Sequence, residues 1–300
     1  MKNFQELPKL SDSISYLYIE HAVIEQEDAS VVAICKDGRI QIPIATVTCL
    51  MLGPGTSVTH AAIRAICDNG CMAIWCGENG GRFYASGSGE TRSSKQLLAQ
   101  ARCCMDEKLH MEVVRKMYAL RFPHMNTDGF TLQQIRGMEG IRVRKVYEQM
   151  SKSTGVKWRK RTYKTECWDA SDPINQTLSE ANAMLYGLCN AAIVTLGYSP
   201  GLGFIHTGKQ LSFVYDVADL YKTETTIPAA FEAVKNGGDI HKNLRLLCRR
   251  YFSNSRILSR VSEDLVNIFS ETLKEDQDNY DRVGDLWEPG GTVSGGKNYG

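Results

Sequence analysis

Residues 86–94 read Ser86-Gly-Ser-Gly-Glu-Thr-Arg-Ser-Ser94, and the chain changes character across them. Glycine and serine dominate, as in a flexible connection. Before this stretch the patterns are those of strands. Ile14–Ile24 alternates and is rich in Tyr, Ile and Val, while Val31–Cys35 and Arg39–Ile44 flank Asp37-Gly38, a hairpin signal. Val47–Leu52 and Cys71–Cys76 are further short apolar runs. Thr59 caps a short predicted helix over His60–Cys67, stopped by Asn69-Gly70, and the turn Gly77–Gly81 leads into Arg82–Ala85. After the stretch the period becomes helical. Leu97, Leu98, Ala101, Met105, Leu109, Val113, Val114, Met117 and Leu120 recur close to every 3.6 residues, predicting a helix over Ser94–Arg121. The same reading gives helices over Thr131–Met150, Asn175–Leu196, Ser212–Lys222, Ile227–Val234, Lys242–Phe252 and Ser262–Leu273. The end, Glu288–Gly300, has too little apolar content to fold and reads as disordered. The expected fold is α+β: a small N-terminal β-strand-rich domain over residues 1–86, a flexible linker at 87–93, a larger all-α C-terminal domain over 94–284 and a disordered tail at 285–300.

The chain has 300 residues, 43% apolar, enough for a substantial core. Its net charge is only +1, but the charges are segregated. Ten Lys/Arg stand against two acids between residues 136 and 164, six stand against none between 242 and 260, and nine acids stand against three bases from 261 onward. Such basic stretches are compatible with nucleic-acid binding and equally with solvated helix faces. The ten cysteines sit mostly in apolar runs, and the polar start Met-Lys-Asn-Phe-Gln-Glu is not a secretory leader. Free buried thiols in a cytoplasmic protein are expected. Cys67, Cys71 and Cys76 lack paired CxxC spacing, which argues against structural zinc. No apolar run reaches the ~18 residues of a membrane span.

The chemistry concentrates in residues 201–222, which contain Gly201-Leu-Gly-Phe-Ile-His-Thr-Gly-Lys209 and Leu211-Ser-Phe-Val-Tyr-Asp-Val-Ala-Asp-Leu-Tyr-Lys222. Asp216 and Asp219 are three apart in an apolar helical run, so they share a face. Two like charges on a mostly buried face need something positive nearby, and a divalent metal ion is one answer. His206 lies just upstream. Glu139 is flanked by Gly137 and Gly140 inside another helical pattern, where each glycine costs up to ~1 kcal/mol relative to alanine. A Glu139/His206/Asp219 set of oxygen and imidazole donors suits Mg2+ or Mn2+ acting on a phosphodiester. Plainer alternatives stay open: Glu139 pairing with Arg136 or Arg142, His206 as a satisfied core group, and the aspartates pairing with Lys209 or Lys222. Gly203–Lys209 also matches the start of a phosphate-binding loop, GxxxxGK. Gln210 replaces the hydroxyl that would hold Mg2+, and a helical pattern precedes it, so a nucleotide triphosphatase is not supported.

At these residues the chain closely resembles the CRISPR-associated adaptation integrases of the Cas-one family, I-E subtype. The carrying segments are residues 136–144 (Arg-Gly-Met-Glu-Gly-Ile-Arg-Val-Arg), 174–182, 185–187, 197–209 and 211–222, with 52–56, 59–64 and 82–87 upstream. The resemblance implies that Glu139, His206 and Asp219 bind the metal and that Asp216 supports the catalytic site. It implies joining of a spacer's 3′-hydroxyl to a phosphodiester of the CRISPR repeat by direct transesterification. The implied partners are double-stranded DNA, a second copy of the chain as a homodimer, and the small Cas-two adaptation protein in a four-plus-two complex, with no membrane. Arg64, Arg82, Tyr186, Lys222, Arg245 and Arg249 align with polar or basic DNA-contacting positions of the family. His21 stands where the best-known members have an aromatic wedge at the DNA fork, and an imidazole stacks on a base less strongly. Two other readings remain: a DNA-binding scaffold whose own site is idle, and a plain metal-dependent nuclease of branched DNA.

Overall fold

The computed structural model describes residues 16–28, 30–78, 82–89, 94–122, 129–161, 172–275, 286–288 and 291–293. The expected run Ile14–Ile24 is not one strand. It is β1 (Tyr16–Ile19) and β2 (Val23–Glu27), which belong to different sheets. The break falls at His21, whose φ of 53° turns the chain out of extended geometry and whose N–H bonds Pro54 O at 3.0 Å. β2, β3 (Ser30–Cys35) and β4 (Gly38–Ile42) form an antiparallel meander, with the predicted Asp37-Gly38 turn between the last two. β5 (Cys49–Leu52) lies parallel to β1. The short β6 (Ser57–Val58) adds to β2 in parallel. α1 (His60–Asp68) starts at Thr59, whose Oγ1 accepts from Ala62 N at 3.3 Å. β7 (Met72–Cys76) runs parallel to β5, and β8 (Phe83–Gly87) pairs antiparallel with β7. The two sheets have strand orders β1-β5-β7-β8 and β4-β3-β2-β6.

The helical part holds α2 (Lys95–Met105), α3 (Glu107–Arg121), α4 (Leu132–Thr154), α5 (Pro173–Thr195), α6 (Ser212–Asp219), α7 (Thr226–Asn236), α8 (Ile240–Asn254) and α9 (Ile257–Glu275). The single helix expected over Ser94–Arg121 is therefore two. Asp106 leaves helical geometry (ψ 118°) and caps α3 by accepting from Leu109 N at 3.0 Å, a local bond that competes with continuing α2. α4 runs to Thr154, past the predicted Met150, and ends at Gly155 in the left-handed region that glycine tolerates (φ 76°). Its start carries the reciprocal Thr131–Gln134 capping box. α5 is buried along most of its circumference and packs against α6, α7, α8 and α9, which makes it the central helix. Phe213, Phe231 and Phe269 are fully buried in this core, each contributing about 1.5–3 kcal/mol.

The first sheet is a wall between two interiors. Strand alternation sends Leu50, Leu52 and Ala73 toward α1 and the meander, where they pack with Ile24, Ile42 and Ile66. It sends Cys49, Met51, Met72, Ile74 and Cys76 toward the helices. The parts expected as separate domains thus meet in packed side chains; Thr195 of α5 also reaches Met72 Sδ at 3.4 Å. Of the predicted linker, Gly87 ends β8, a Cβ on Gly89 would lie 2.7 Å from Cys67 O, and residues 90–93 lie outside the described residues. The expectation of a disordered tail meets a two-stranded antiparallel ribbon, β9 (Leu286–Glu288) with β10 (Gly291–Val293). Cys167 lies outside the described residues, and the other nine cysteines are free, six of them buried. Among the described residues no helix is long and apolar enough to cross a membrane.

Candidate active site

Four elements converge on one place. α3 contributes its last residue, Arg121; α4 contributes Glu139 from its first half; α6 contributes Asp216 and its last residue, Asp219; the loop between α5 and α6 contributes His206. α6 ends at Asp219, three residues short of the predicted Lys222, so Asp219 stands at the helix exit.

Asp216 is almost fully buried and shapes the loop. Its Oδ2 accepts from Phe204 N (2.6 Å) and Ile205 N (3.0 Å), and its Oδ1 accepts from His206 N (2.8 Å). The fourth contact is His206 Nδ1 at 2.7 Å. A carboxylate facing three donors can only accept from the ring as well, so Nδ1 carries the proton and Nε2 is left as the lone-pair nitrogen. This bond holds His206 above its ordinary pKa, with burial acting against it. The loop is gripped from the other side too. Gln100 of α2 donates to Ser199 O (3.0 Å) and Leu202 O (2.9 Å) and accepts from Ser199 N (2.7 Å), while His110 Nε2 lies 2.8 Å from Phe204 O. At Gly203 the chain folds so tightly that a Cβ would sit 2.2 Å from His206 O and 2.7 Å from Ser212 Cβ.

Asp219 lies among cations. Lys222 Nζ is 2.5 Å from its Oδ1, and Arg121 Nη1 is 3.5 Å from its Oδ2. Burial pushes the Asp219 carboxyl up, but Lys222 and then Arg121 outweigh it and hold the group below the usual carboxylate range. For Lys222, burial pulls down and the Asp219 charge wins, leaving its pKa raised. Glu139 Oε1 is ion-paired with the same Arg121 Nη1. Tyr118 lies nearby; burial first, then the Glu139 charge, pushes its hydroxyl up to about 12. Tyr186 takes a 2.7 Å bond from Lys222 and packs edge-on to Tyr215 at 5.0 Å, which in turn meets the His206 ring at 5.9 Å.

The partners match those expected only in part: Asp219 pairs with Lys222, as one of the plainer alternatives had it, and the others differ. Asp216 and Asp219 share a helix, but the positive character around Asp216 comes from backbone N–H groups and His206, and that around Asp219 from Lys222 and Arg121. Glu139 pairs with Arg121, not with Arg136 or Arg142. Of the DNA-contact candidates, Lys222 and Tyr186 are built into this site. Arg64 and Arg249 are exposed, on α1 and α8; Arg64 pairs loosely with Asp68 at 3.6 Å. Arg82 and His21 are exposed in the β-rich part, and Arg245 lies 3.4 Å from Glu78. Arg121, Gln100 and His110 were not singled out from sequence. A glutamine at the fully buried position 100 of an otherwise apolar helix face was the one legible hint.

Among the described residues no three His, Cys, Asp or Glu side chains stand close enough together to hold a metal ion as they are placed. The donor types nonetheless fit one. Two carboxylates drawn to one guanidinium nitrogen, and an imidazole whose Nδ1 is tied to a carboxylate, are the hard-oxygen and oriented-nitrogen donors that Mg2+ or Mn2+ takes.

The sequence profile of the family described as CRISPR associated protein Cas1 matches residues 15–128 and 127–242. The chain is 47% identical over 305 residues to the CRISPR-associated endonuclease Cas1 2 of Thermus thermophilus, covering all of this chain and 94% of that protein. It is 44% identical over 254 residues to the CRISPR-associated endonuclease Cas1 of Escherichia coli, covering 84% of this chain and 83% of that one. The solved TtCas1–DNA complex superposes with a TM-score of 0.80 at 48% identity, over 88% of this chain and 99% of that one.

Proposed function

The chain belongs to the CRISPR-associated Cas1 family, and on that footing we propose that it is the metal-dependent integrase of CRISPR adaptation, joining the 3′-hydroxyl of spacer DNA to a phosphodiester of the CRISPR repeat. Glu139, Asp219 and His206 are the residues that would hold Mg2+ or Mn2+. The ion, when bound, polarises the phosphodiester and offsets charge on the entering and leaving oxygens. Asp216 is not a ligand: three backbone N–H groups and the His206 ring use its oxygens, so it fixes the tautomer and the aim of His206. Lys222, steadied by Tyr186, positions Asp219. Arg64, Arg82, Arg245 and Arg249 neutralise DNA phosphates, and His21 sits at the fork of the spacer duplex.

The observation that supports this most is the Asp216–His206 bond beside two acids that face one guanidinium. A lone structural histidine does not need an imidazole oriented by one carboxylate of a helix whose next carboxylate, Asp219, is paired through Arg121 with an acid of another helix. The motifs quoted above support the I-E subtype, a homodimer and assembly with the small Cas-two partner.

The test is a gel assay of labelled spacer duplex with a repeat-bearing plasmid, in Mn2+ or EDTA. Covalent joining in Mn2+, lost in EDTA and lost in Asp219→Ala, is expected. Joining by Asp219→Ala at the wild-type rate refutes the assignment. Cutting without use of a supplied 3′-hydroxyl points to a simple nuclease, and metal-indifferent binding without product points to an idle scaffold.

A further inference from the structure

Arg121 is the residue at the site to which the reading above gives no part. Its side chain is only 9% exposed, and its Nη1 meets both Glu139 Oε1 and Asp219 Oδ2. Its Nε is buried without a hydrogen-bond partner. Glu139 and Asp219 come from different helices, and no backbone element holds them face to face. Two acids that close raise one another's proton affinity unless a positive charge stands between them. Of the two acids Lys222 reaches Asp219 alone; Arg121 reaches both.

We propose that Arg121 is the built-in counter-ion of this site: it draws Glu139 and Asp219 together in the metal-free protein, and it is the cation that an incoming divalent ion displaces. The idea rests on the reading of these two acids as metal ligands. The unpaired Nε supports the displacement, because a buried donor left without a partner marks an arrangement that does not satisfy the guanidinium fully. Arg121 acts through the acids, as a positioning residue. It has two opposed effects on metal loading. It pre-places the ligands, which helps; it also repels the ion and occupies the carboxylate oxygens, which hinders. At a few ångströms in a largely buried site the charge effect is the larger. Metal loading is thus held back until further negative charge, such as DNA phosphate, enters the site.

The test titrates Mn2+ into wild type, Arg121→Gln and Arg121→Lys at pH 8, without DNA, by calorimetry and by the electron paramagnetic resonance signal of free Mn2+. Arg121→Gln is expected to bind roughly tenfold tighter or more, to melt lower than wild type in EDTA, and to gain more from added Mn2+. Arg121→Lys keeps the charge on a single nitrogen and is expected to bind like wild type. Arg121→Met, titrated alongside, removes the charge while keeping an apolar stem; it is expected to bind tighter as the glutamine variant does, and decides the matter should the glutamine variant fail to fold. Equal or weaker Mn2+ binding by the folded uncharged variants, or a gain in Arg121→Lys as large as theirs, overturns the counter-ion role and leaves the metal reading standing. No Mn2+ binding by wild type, even at millimolar ion, overturns both.

Discussion

Asp216→Asn is nearly isosteric, yet it should disable the site. The carboxylate accepts four hydrogen bonds in a buried setting, two on each oxygen. A carboxamide keeps one oxygen, so at most two of the four survive. Its amino group then faces either Phe204 and Ile205 N–H or the two donors of His206. A hydrogen bond to a charged group contributes about 1.5–3 kcal/mol, so losing two removes about 3–6 kcal/mol before any donor–donor repulsion. For a chain of this size that corresponds to a Tm lower by at least ~5 °C. If the amino group turns to His206, Nδ1 must accept, the proton moves to Nε2, and the nitrogen meant for the metal is blocked. Urea unfolding reads the stability, and nitrogen NMR of 15N-histidine protein reads the tautomer. An Asn variant within ~1 kcal/mol of wild type, with Nδ1 still protonated and joining intact, refutes the reasoning. The pH dependence gives a second arm. The His206 pKa is raised in the folded state by the Asp216 bond. That contribution is complete below the ordinary value of about 6.5 and is lost as pH rises through the folded value. In EDTA, the stability gap between wild type and variant should therefore narrow as pH rises from 6 to 9.

Gly203→Ala places a methyl group 2.2 Å from His206 O and against Ser212; about 1–3 kcal/mol of destabilisation and a displaced His206 are expected, read by denaturation and by loss of joining, and an unchanged variant would show that the loop yields easily. Arg249→Gln removes an exposed cation of α8; DNA affinity should fall uniformly across sequences, and the slope of log K against log salt should drop by about 0.9. An unchanged slope removes Arg249 from the phosphate contacts.

Helical spacing was enough to place Asp216 and Asp219 on one short buried helix, and the break in composition near residue 90 separated strands from helices. What the spacing could not give was the partner of each charge. Asp216 looks back to backbone groups ten to twelve residues upstream, a contact set by loop geometry. Asp219 and Glu139 meet through Arg121, which looks from sequence like the solvated end of an amphipathic helix. The same limit explains β1 and β2: alternation runs smoothly through residues 16–24, and only the left-handed turn at His21 assigns the two halves to different sheets. Asp106 was legible in principle as a cap, but the apolar period continued across it and hid the break.

The β1-β5-β7-β8 sheet turns alternate residues into two cores, so the helical half of the chain does not own a complete interior. Cut near residue 90, one fragment would present Met51, Met72 and Ile74 to water, and the other would lose the floor beneath α5. The two halves consequently stand or fall together. Strain applied at the outer meander reaches the helix bearing Tyr186 through that shared sheet and the side chains on its two faces.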